Sequence, residues 1–431
     1  KVIFTVTNYT SGTLNVYSGS NQSAADVNVS ANALGTYIAY VVRTGGNANI
    51  IFASTNSFTG SITNISVQEV TGDQPRLNYD ISNGVVQSCP SLLLEPASTN
   101  LVTYSEDFSN AYWTKSGLGV TSGFISPDGT LNAYKMVKDT NTGTGFLRAS
   151  GFSQLATENI TLSIYAKAGE NNSVILYEDY SDDGVIFNLK TGTITAYRGT
   201  PVSSSMELLT NGFYKLNLTV FPNYTISQYK VIAIDNSGSL TAAGDGTSGV
   251  YIFGAQLEVL SYATSYIPTL SGAIQTRAAE SCDLTPPSGV IGQAEGTVYW
   301  EINVKTTVAS GNENILNIDA GAFGNTIYFI KSASGNLVGE MFTSSSLQAS
   351  FTKIAITEGV HKMAMGYANN NTAFFVDGTQ IGTTDTSCTV PTTNRIQLGN
   401  GVLGSSDCLL NDLRLYKTRL TNAQLQTLTT I

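Results

Sequence analysis

Charge is what this chain has least of. Of 431 residues only 12% are Asp, Glu, Lys or Arg, about half the one-quarter share of an ordinary globular protein. Disorder is not the reason, because 42% of the residues are hydrophobic and 22 Tyr and 17 Phe supply bulk that disordered chains lack. The chain is therefore expected to fold throughout, as about two to four domains large enough to bury their own cores. Against 31 acidic residues stand 21 basic ones, for a net charge of −10, and the basic residues form no cluster. A surface that tracks nucleic-acid phosphates is thereby disfavoured. Long apolar runs are also missing: Tyr37-Ile38-Ala39-Tyr40-Val41-Val42 falls far short of the roughly 18 residues of a spanning helix, so no membrane span is expected. A single histidine, His361, and four dispersed cysteines without Cys-x-x-Cys spacing argue against zinc. Cys89, Cys282, Cys388 and Cys408 are too sparse for a disulfide scaffold. Their pairing stays open, and buried free thiols are the expectation. The start, Lys1-Val2-Ile3-Phe4-Thr5, has neither an initiator Met nor a signal-peptide pattern and begins inside a strand-like alternation, which predicts a longer polypeptide upstream.

What is abundant is alternation. In Thr297-Val298-Tyr299-Trp300-Glu301-Ile302-Asn303-Val304-Lys305 the residues Val298, Trp300, Ile302 and Val304 share one face, and Tyr214, Leu216, Leu218 and Val220 repeat the pattern. These are the marks of half-buried antiparallel strands. Between such runs stand Asn83-Gly84, Asp128-Gly129, Asp183-Gly184, Asn211-Gly212 and Asp377-Gly378, pairs suited to the positive φ of tight hairpins. The fold class predicted is all-β, tandem antiparallel β-sandwiches of jelly-roll type with very little helix. The best helical signal closes the chain at 420–428, where Thr421 is placed to cap and Leu425 and Leu428 to face a core. Trp113 and Trp300 sit inside strong patterns and are expected in cores.

Domain boundaries follow from a weak repeat. The stretch Gly60 to Val70 resembles Gly249 to Val259 in its opening Gly, its alternation and its closing Gln/Glu/Val, as if each were the last strand of one kind of sandwich. Residues 1–72 then read as the C-terminal part of a first jelly-roll module and 101–270 as a complete second one. Between them, 73–100 reads as an extended connector in which Pro75, Pro90 and Pro96 surround Leu92-Leu93-Leu94, a triplet too costly to leave in water. A second connector, 271–292, contains Pro286-Pro287 and leads into a third module, 293–431.

Two resemblances arise from these residues. The string Ser91-Leu92-Leu93-Leu94-Glu95-Pro96-Ala97-Ser98-Thr99-Asn100-Leu101, then Tyr104-Ser105-Glu106-Asp107-Phe108-Ser109-Asn110 and Trp113, resembles bacteriophage virion proteins that contain carbohydrate-binding-module-like jelly rolls. Phe187 to Thr193, Asn211-Gly212-Phe213-Tyr214, Gly254-Ala255-Gln256-Leu257-Glu258 and Ser261 to Pro268 continue the likeness in fixed order. The last module is similar to the concanavalin-like/laminin-G-like sandwiches through Gly359-Val360-His361-Lys362, Ala373 to Gly378, Ile396-Gln397-Leu398-Gly399 and Leu410 to Tyr416. The likeness implies a virion fibre or appendage, with other virion proteins as partners and a homotrimer as its first oligomeric guess.

Candidate chemistry is sparse. Glu178-Asp179 and Asp182-Asp183 are neighbouring carboxylates, but strand neighbours point to opposite faces, whereas glycoside hydrolysis needs two carboxyls converging about 5–10 Å apart. His361 lacks the Gly-x-Ser-x-Gly context of a serine nucleophile. No catalytic residue is assigned. Cofactors are expected to be none. For calcium the residues Asp235, Asp245, Asp319 and Asp407 lie in Gly-rich turns, and no spacing singles out ligands. The glycan-binding candidates are Tyr165, Tyr177, Tyr180 and Tyr197 with Asp179 and Asp182, since flat phenol rings stack on sugar faces while carboxylates fix hydroxyls. An outward Tyr is more often a protein-interface residue or ordinary β-sheet filler.

The function expected is thus a non-enzymatic phage virion surface protein, a tail or head fibre, structural and adhering to a bacterial surface glycan through weak, multivalent sites. Its location would be the virion surface. The rival readings are the binding end of a capsule-depolymerising tailspike whose catalytic part lies upstream, a capsid decoration protein without ligand, and a secreted bacterial adhesin.

Overall fold

The structure is a computed structural model and describes residues 2–18, 27–39, 50–67, 76–79, 81–82, 85–86, 90–153, 158–209, 211–222, 226–270, 272–280, 282–286, 289–304, 312–321, 324–401, 404–405 and 408–431. It is almost wholly β, its sheets antiparallel, with one helix among the described residues. The chain divides into two compact units, one comprising 1–71, 99–259 and 265–275, the other 72–98, 260–264 and 276–431.

In the first unit Val2–Ser18 pairs with Val27–Ala31, Gly35–Ala39 and Ile50–Val67. Val2, Phe4, Val6, Leu14 and Val16 form its small core, as the alternation at the chain start requires. The repeat noticed in the sequence does not extend to pairing: Ile50–Val67 pairs with Val2–Ser18, whereas Gly249–Glu258 lies between Ala133–Lys138 and Ile160–Ala168. Residues 68–70 of the repeat lie outside the described residues.

The same unit holds a sandwich of two six-stranded sheets. One runs in the order Thr114–Ser116, Gly145–Ser153, Ile226–Ile234, Ser173–Glu178, Asp183–Asn188, Thr193–Arg198; the other runs Leu118–Phe124, Ala133–Lys138, Gly249–Glu258, Ile160–Ala168, Tyr214–Val220, Ser203–Leu208. Between them lies one core in which Leu147, Val174, Leu176, Phe187 and Val231 of the first sheet meet Leu162, Ile164, Leu216, Leu218 and Ile252 of the second. Trp113 belongs to this core, and its Nε1–H donates to the Tyr104 carbonyl at 2.9 Å.

The second unit is a sandwich of a six-stranded and a seven-stranded sheet. Val298, Trp300, Ile302 and Val304 enter its core as their alternation predicts. The opposite face of that strand is less open than half-burial implies, and the helix Asn422–Thr429 packs on the strands Gly359–Ala368 and Thr372–Val376 of the same sheet. Tyr299, Ala364, Ala373 and Phe375 are buried there with Leu425, and Leu428 packs alongside. Thr421 caps the helix in a capping box with Gln424. The segment read from the sequence as a connector supplies two strands to this unit: Ser91–Leu94 pairs with Cys408–Tyr416, and Arg76–Asn78 pairs with Ser91–Leu94. Leu94 is buried in the core. Cys282 and Cys388 are free thiols, while Cys89 and the side chain of Cys408 lie outside the described residues.

The hairpin pairs fare unequally. Asp377 and Gly378 have φ of 50° and 73°, and Gly129 and Gly212 have 85° and 81°, as tight turns demand. At Asp183-Gly184 the expectation needs correction. Both residues open the strand Asp183–Asn188, and the positive φ, 58°, falls on Asp182. Asp tolerates that conformation better than most residues. Asn83-Gly84 lies outside the described residues.

Candidate functional site

Strand register places the sequence candidates. On the sheet that ends with Thr193–Arg198, Leu147, Ala149, Val174, Leu176, Val185 and Val231 point into the core, so their neighbours point outward. Pairing aligns Arg148 with Lys230, Lys230 with Tyr177, Tyr177 with Gly184 and Gly184 with Arg198. One transverse row on the outer face therefore carries three cations, a phenol and a glycine. Beneath and beside it Ile175, Ile232 and Ile234 are buried against Phe146, Tyr177, Ile186 and Tyr197, an apolar floor outside the main core.

Gly184 opens the row. A Cβ there would meet Tyr177 Cδ2 at 2.9 Å and Tyr197 Cδ1 at 3.1 Å. The bulge in its pairing with Thr193–Arg198 brings Tyr197 beside it. Tyr177 and Tyr197 meet edge to face, centroids 5.7 Å apart at 75°. The Tyr177 hydroxyl donates to Asp182 Oδ1 at 2.6 Å, and Arg198 Nη1 donates to the same oxygen at 3.2 Å. Together these bonds hold the exposed Asp182 carboxyl below its usual range, Tyr177 contributing most. The Tyr177 hydroxyl is pushed up by desolvation and then by its bond to Asp182. Lys230 Nζ pairs with Asp179 Oδ1 at 2.7 Å and lies 4.8 Å from the Phe146 ring centroid. Tyr180 is exposed at the edge, where its hydroxyl accepts from Gln228 Nε2 at 3.3 Å. Buried Glu178 fixes the turn by accepting the N–H groups of Tyr180, Ser181 and Gln228.

Five of the six candidates, Tyr177, Tyr180, Tyr197, Asp179 and Asp182, thus come from one end of one sheet. Tyr165 does not join them. It lies on the other sheet, where Leu162, Ile164 and Ala166 take the core face and Tyr165 takes the outer one. There it packs with Phe253 and Tyr266, centroids 5.9 Å away in both cases, in a cluster with Ala133 and Phe213. The alternation gave Tyr165 its outward direction, but it could not say which sheet the strand would join. Below this cluster Glu106 accepts from Asn132 Nδ2 at 2.8 Å and from the Tyr266 hydroxyl at 3.2 Å. Burial first and the Asp128 charge second push its carboxyl up to about 7.

Residues that sequence reasoning missed are Arg148, Lys230, Gln228, Phe146 and Gly184. The outward positions of Phe146-Leu147-Arg148 and Gln228-Tyr229-Lys230 were readable, whereas their adjacency to Tyr177 depends on pairing over more than 50 positions. The neighbouring carboxylates do not converge: Glu178 is buried under the turn, and Asp183 accepts the Thr200 N–H at 2.7 Å. The calcium candidates are held by protein donors. Asp235 accepts from Ser237 and Ser239, Asp245 from Thr247 and Ser248, and Asp319 binds Arg395 through both oxygens. Asp407 lies outside the described residues. Among the described residues no group of three or more His, Cys, Asp or Glu side chains is placed to hold a metal ion, and no helix is long and apolar enough to cross a membrane. His361 Nδ1 bonds Asp377 Oδ2 at 2.6 Å and its Nε2 bonds the Thr357 carbonyl at 2.9 Å, so both ring nitrogens are engaged in structure.

No protein-family model matches the chain, and no curated protein matches it. Solved structures similar to parts of it include the CBM40 of the Ruminococcus gnavus IT-sialidase, at 15% identity and a TM-score of 0.30 over 35% of this chain and 91% of that one. Mouse laminin α1 domains LG4-5 match at 12% identity and a TM-score of 0.25, over 66% of this chain and 88% of that one. A Trypanosoma rangeli sialidase matches at 12% identity and 0.27, over 69% and 60%. Scores this low bear on neither ligand nor activity.

Proposed function

We propose that this protein is a non-enzymatic surface component of a phage virion, a tail or head fibre, and that the outer face of its middle sandwich binds a bacterial surface glycan. The observation that carries the glycan reading is the Tyr177–Tyr197 pair over Gly184, two half-buried rings on the outer face with Lys230 and Arg198 beside them and Asp182 and Gln228 nearby as hydroxyl partners. Stacking platforms with a few fixed polar groups are what carbohydrate recognition uses. The virion setting rests on the resemblance of the 91–113 and 187–268 motifs to phage jelly-roll proteins. The low surface charge suits contact with neutral hydroxyls and with neighbouring subunits. A single shallow site of this kind binds weakly, so useful adhesion comes from repetition on several copies, three as a first guess.

The test is adsorption of the fluorescently labelled full chain to a panel of bacterial surface polysaccharides, with light scattering to count subunits. Binding is expected in the native protein and is expected to fall at least tenfold in a Tyr177→Ala, Tyr197→Ala double variant and in Gly184→Ala, which forces the rings apart. Unchanged adsorption by folded forms of both variants refutes this site, and turnover of the polysaccharide by the chain refutes the non-enzymatic reading.

A further inference from the structure

The row on the outer sheet face carries one cation that no carboxylate of the described residues answers. Lys230 is paired with Asp179 and Arg198 with Asp182. Arg148, directly opposite Lys230 on the neighbouring strand, has no carboxylate partner among the described residues. Its Nη1 reaches only the Gln228 side-chain carbonyl, at 3.4 Å, and its Nε is buried without a hydrogen-bond partner. A partly buried guanidinium normally sits in an ion pair. Here it sits unanswered in a chain of net charge −10, on the same row as Tyr177 but two strands away, with Lys230 between them.

Resting on the glycan reading, we propose that the ligand is an acidic oligosaccharide in which the carboxylate of one residue is received by Arg148, while a neighbouring residue of the same chain lies on Tyr177 and Tyr197. The planar guanidinium fork matches a carboxylate with two parallel N–H···O bonds, a geometry that an ammonium does not offer. Lys230 is less suited to the role because Asp179 and the Phe146 ring already hold its ammonium. Of the three cations only Arg148 lacks a carboxylate of the protein, so the carboxylate that answers it is brought by the ligand. Arg148 is then a specificity-determining contact, and neutral sugars of the same shape bind less well.

The carboxylate can come from a hexuronic acid or from a nonulosonic acid such as N-acetylneuraminic acid. Calorimetric titration of the full chain uses a glucuronate-terminated tetrasaccharide, an N-acetylneuraminate-terminated trisaccharide and the methyl ester of each, which keeps the shape and removes the charge. The expected result is that at least one acid binds ten or more times tighter than its ester, with the difference shrinking as salt is raised. Which acid does so identifies the source. Arg148→Gln is expected to bring the acid-to-ester ratio to about one, and Arg148→Lys to leave it between. If Arg148→Gln does not fold, the acid-to-ester ratio of the native protein still decides. Esters that bind as well as acids, with binding lost in the Tyr177→Ala, Tyr197→Ala variant, overturn the charge assignment and leave the glycan reading standing. Failure to bind any of the four ligands, together with no adsorption to the polysaccharide panel, overturns both.

Discussion

The chain's only histidine offers a clean measurement. His361 is buried and faces two acceptors, Asp377 Oδ2 at 2.6 Å on Nδ1 and the Thr357 carbonyl at 2.9 Å on Nε2. Only the imidazolium has a proton for each. The bond to Asp377 is the main cause that raises the His361 pKa above its ordinary value, ahead of the opposing effect of burial. Because the folded pKa is raised, the stabilisation is fully present below about 6.5, the unfolded value, and is lost as pH climbs through the folded one. A hydrogen bond to a charged group contributes about 1.5–3 kcal/mol. With the Asp377 side chain about one-quarter exposed, solvent screening lowers the expectation to about 1–2 kcal/mol. Asp377→Asn keeps the left-handed turn, since Asn also tolerates φ near 50°, and keeps an acceptor for the Lys362 N–H. Urea unfolding followed by Trp300 fluorescence in a Trp113→Phe background reads the unit that contains His361. At pH 5.5 the Asn variant is expected to lose about 1–2 kcal/mol, and at pH 9 clearly less. The single imidazole C2–H resonance should titrate at lower pH in the variant. Equal midpoints in the two proteins, with the same stability difference at both pH values, would refute the reasoning.

Two other groups give predictions of opposite character. Glu106, pushed up to about 7 by burial and the Asp128 charge, holds its proton more tightly in the folded chain. The stability read by Trp113 should therefore decline as pH rises from about 4.5 to 7. Glu106→Gln should flatten that slope and be the more stable protein above pH 7; an unchanged slope counts against the assignment. Asn314 is fully buried, and neither its Oδ1 nor its Nδ2 has a hydrogen-bond partner. Since such groups cost about 1–3 kcal/mol, Asn314→Leu, which keeps the branching at Cγ, should raise the urea midpoint, and a lowered midpoint would show that the site needs the amide.

Much of the fold is local enough to read. The strand Glu295–Val304 buries the four residues its alternation nominates, the Trp113 and Trp300 rings are in cores, and the last helix is capped by Thr421. Where reading failed, the cause was a distant element. Tyr299 is buried in a cluster built by residues of remote strands and of the last helix, and the Leu92 to Leu94 run is a strand because Cys408–Tyr416 offers it an edge. Tyr165 and Tyr177 look alike in sequence and lie on different sheets.

The sequence by itself determined the all-β class, the inward and outward sense of its best-patterned strands and the chemical character of the outer surface, poor in charge and rich in Tyr, Ser, Thr and Asn. These follow from period-two alternation and composition, properties of neighbouring residues. Only the tertiary structure decided which outward residues share a row. Strand pairing and register are set by contacts between remote segments, and a slip of one residue would exchange every face. That pairing put Arg148, Lys230 and Tyr177 on one row with Tyr197 at its far side, separated Tyr165 from them, and turned scattered candidates into one surface.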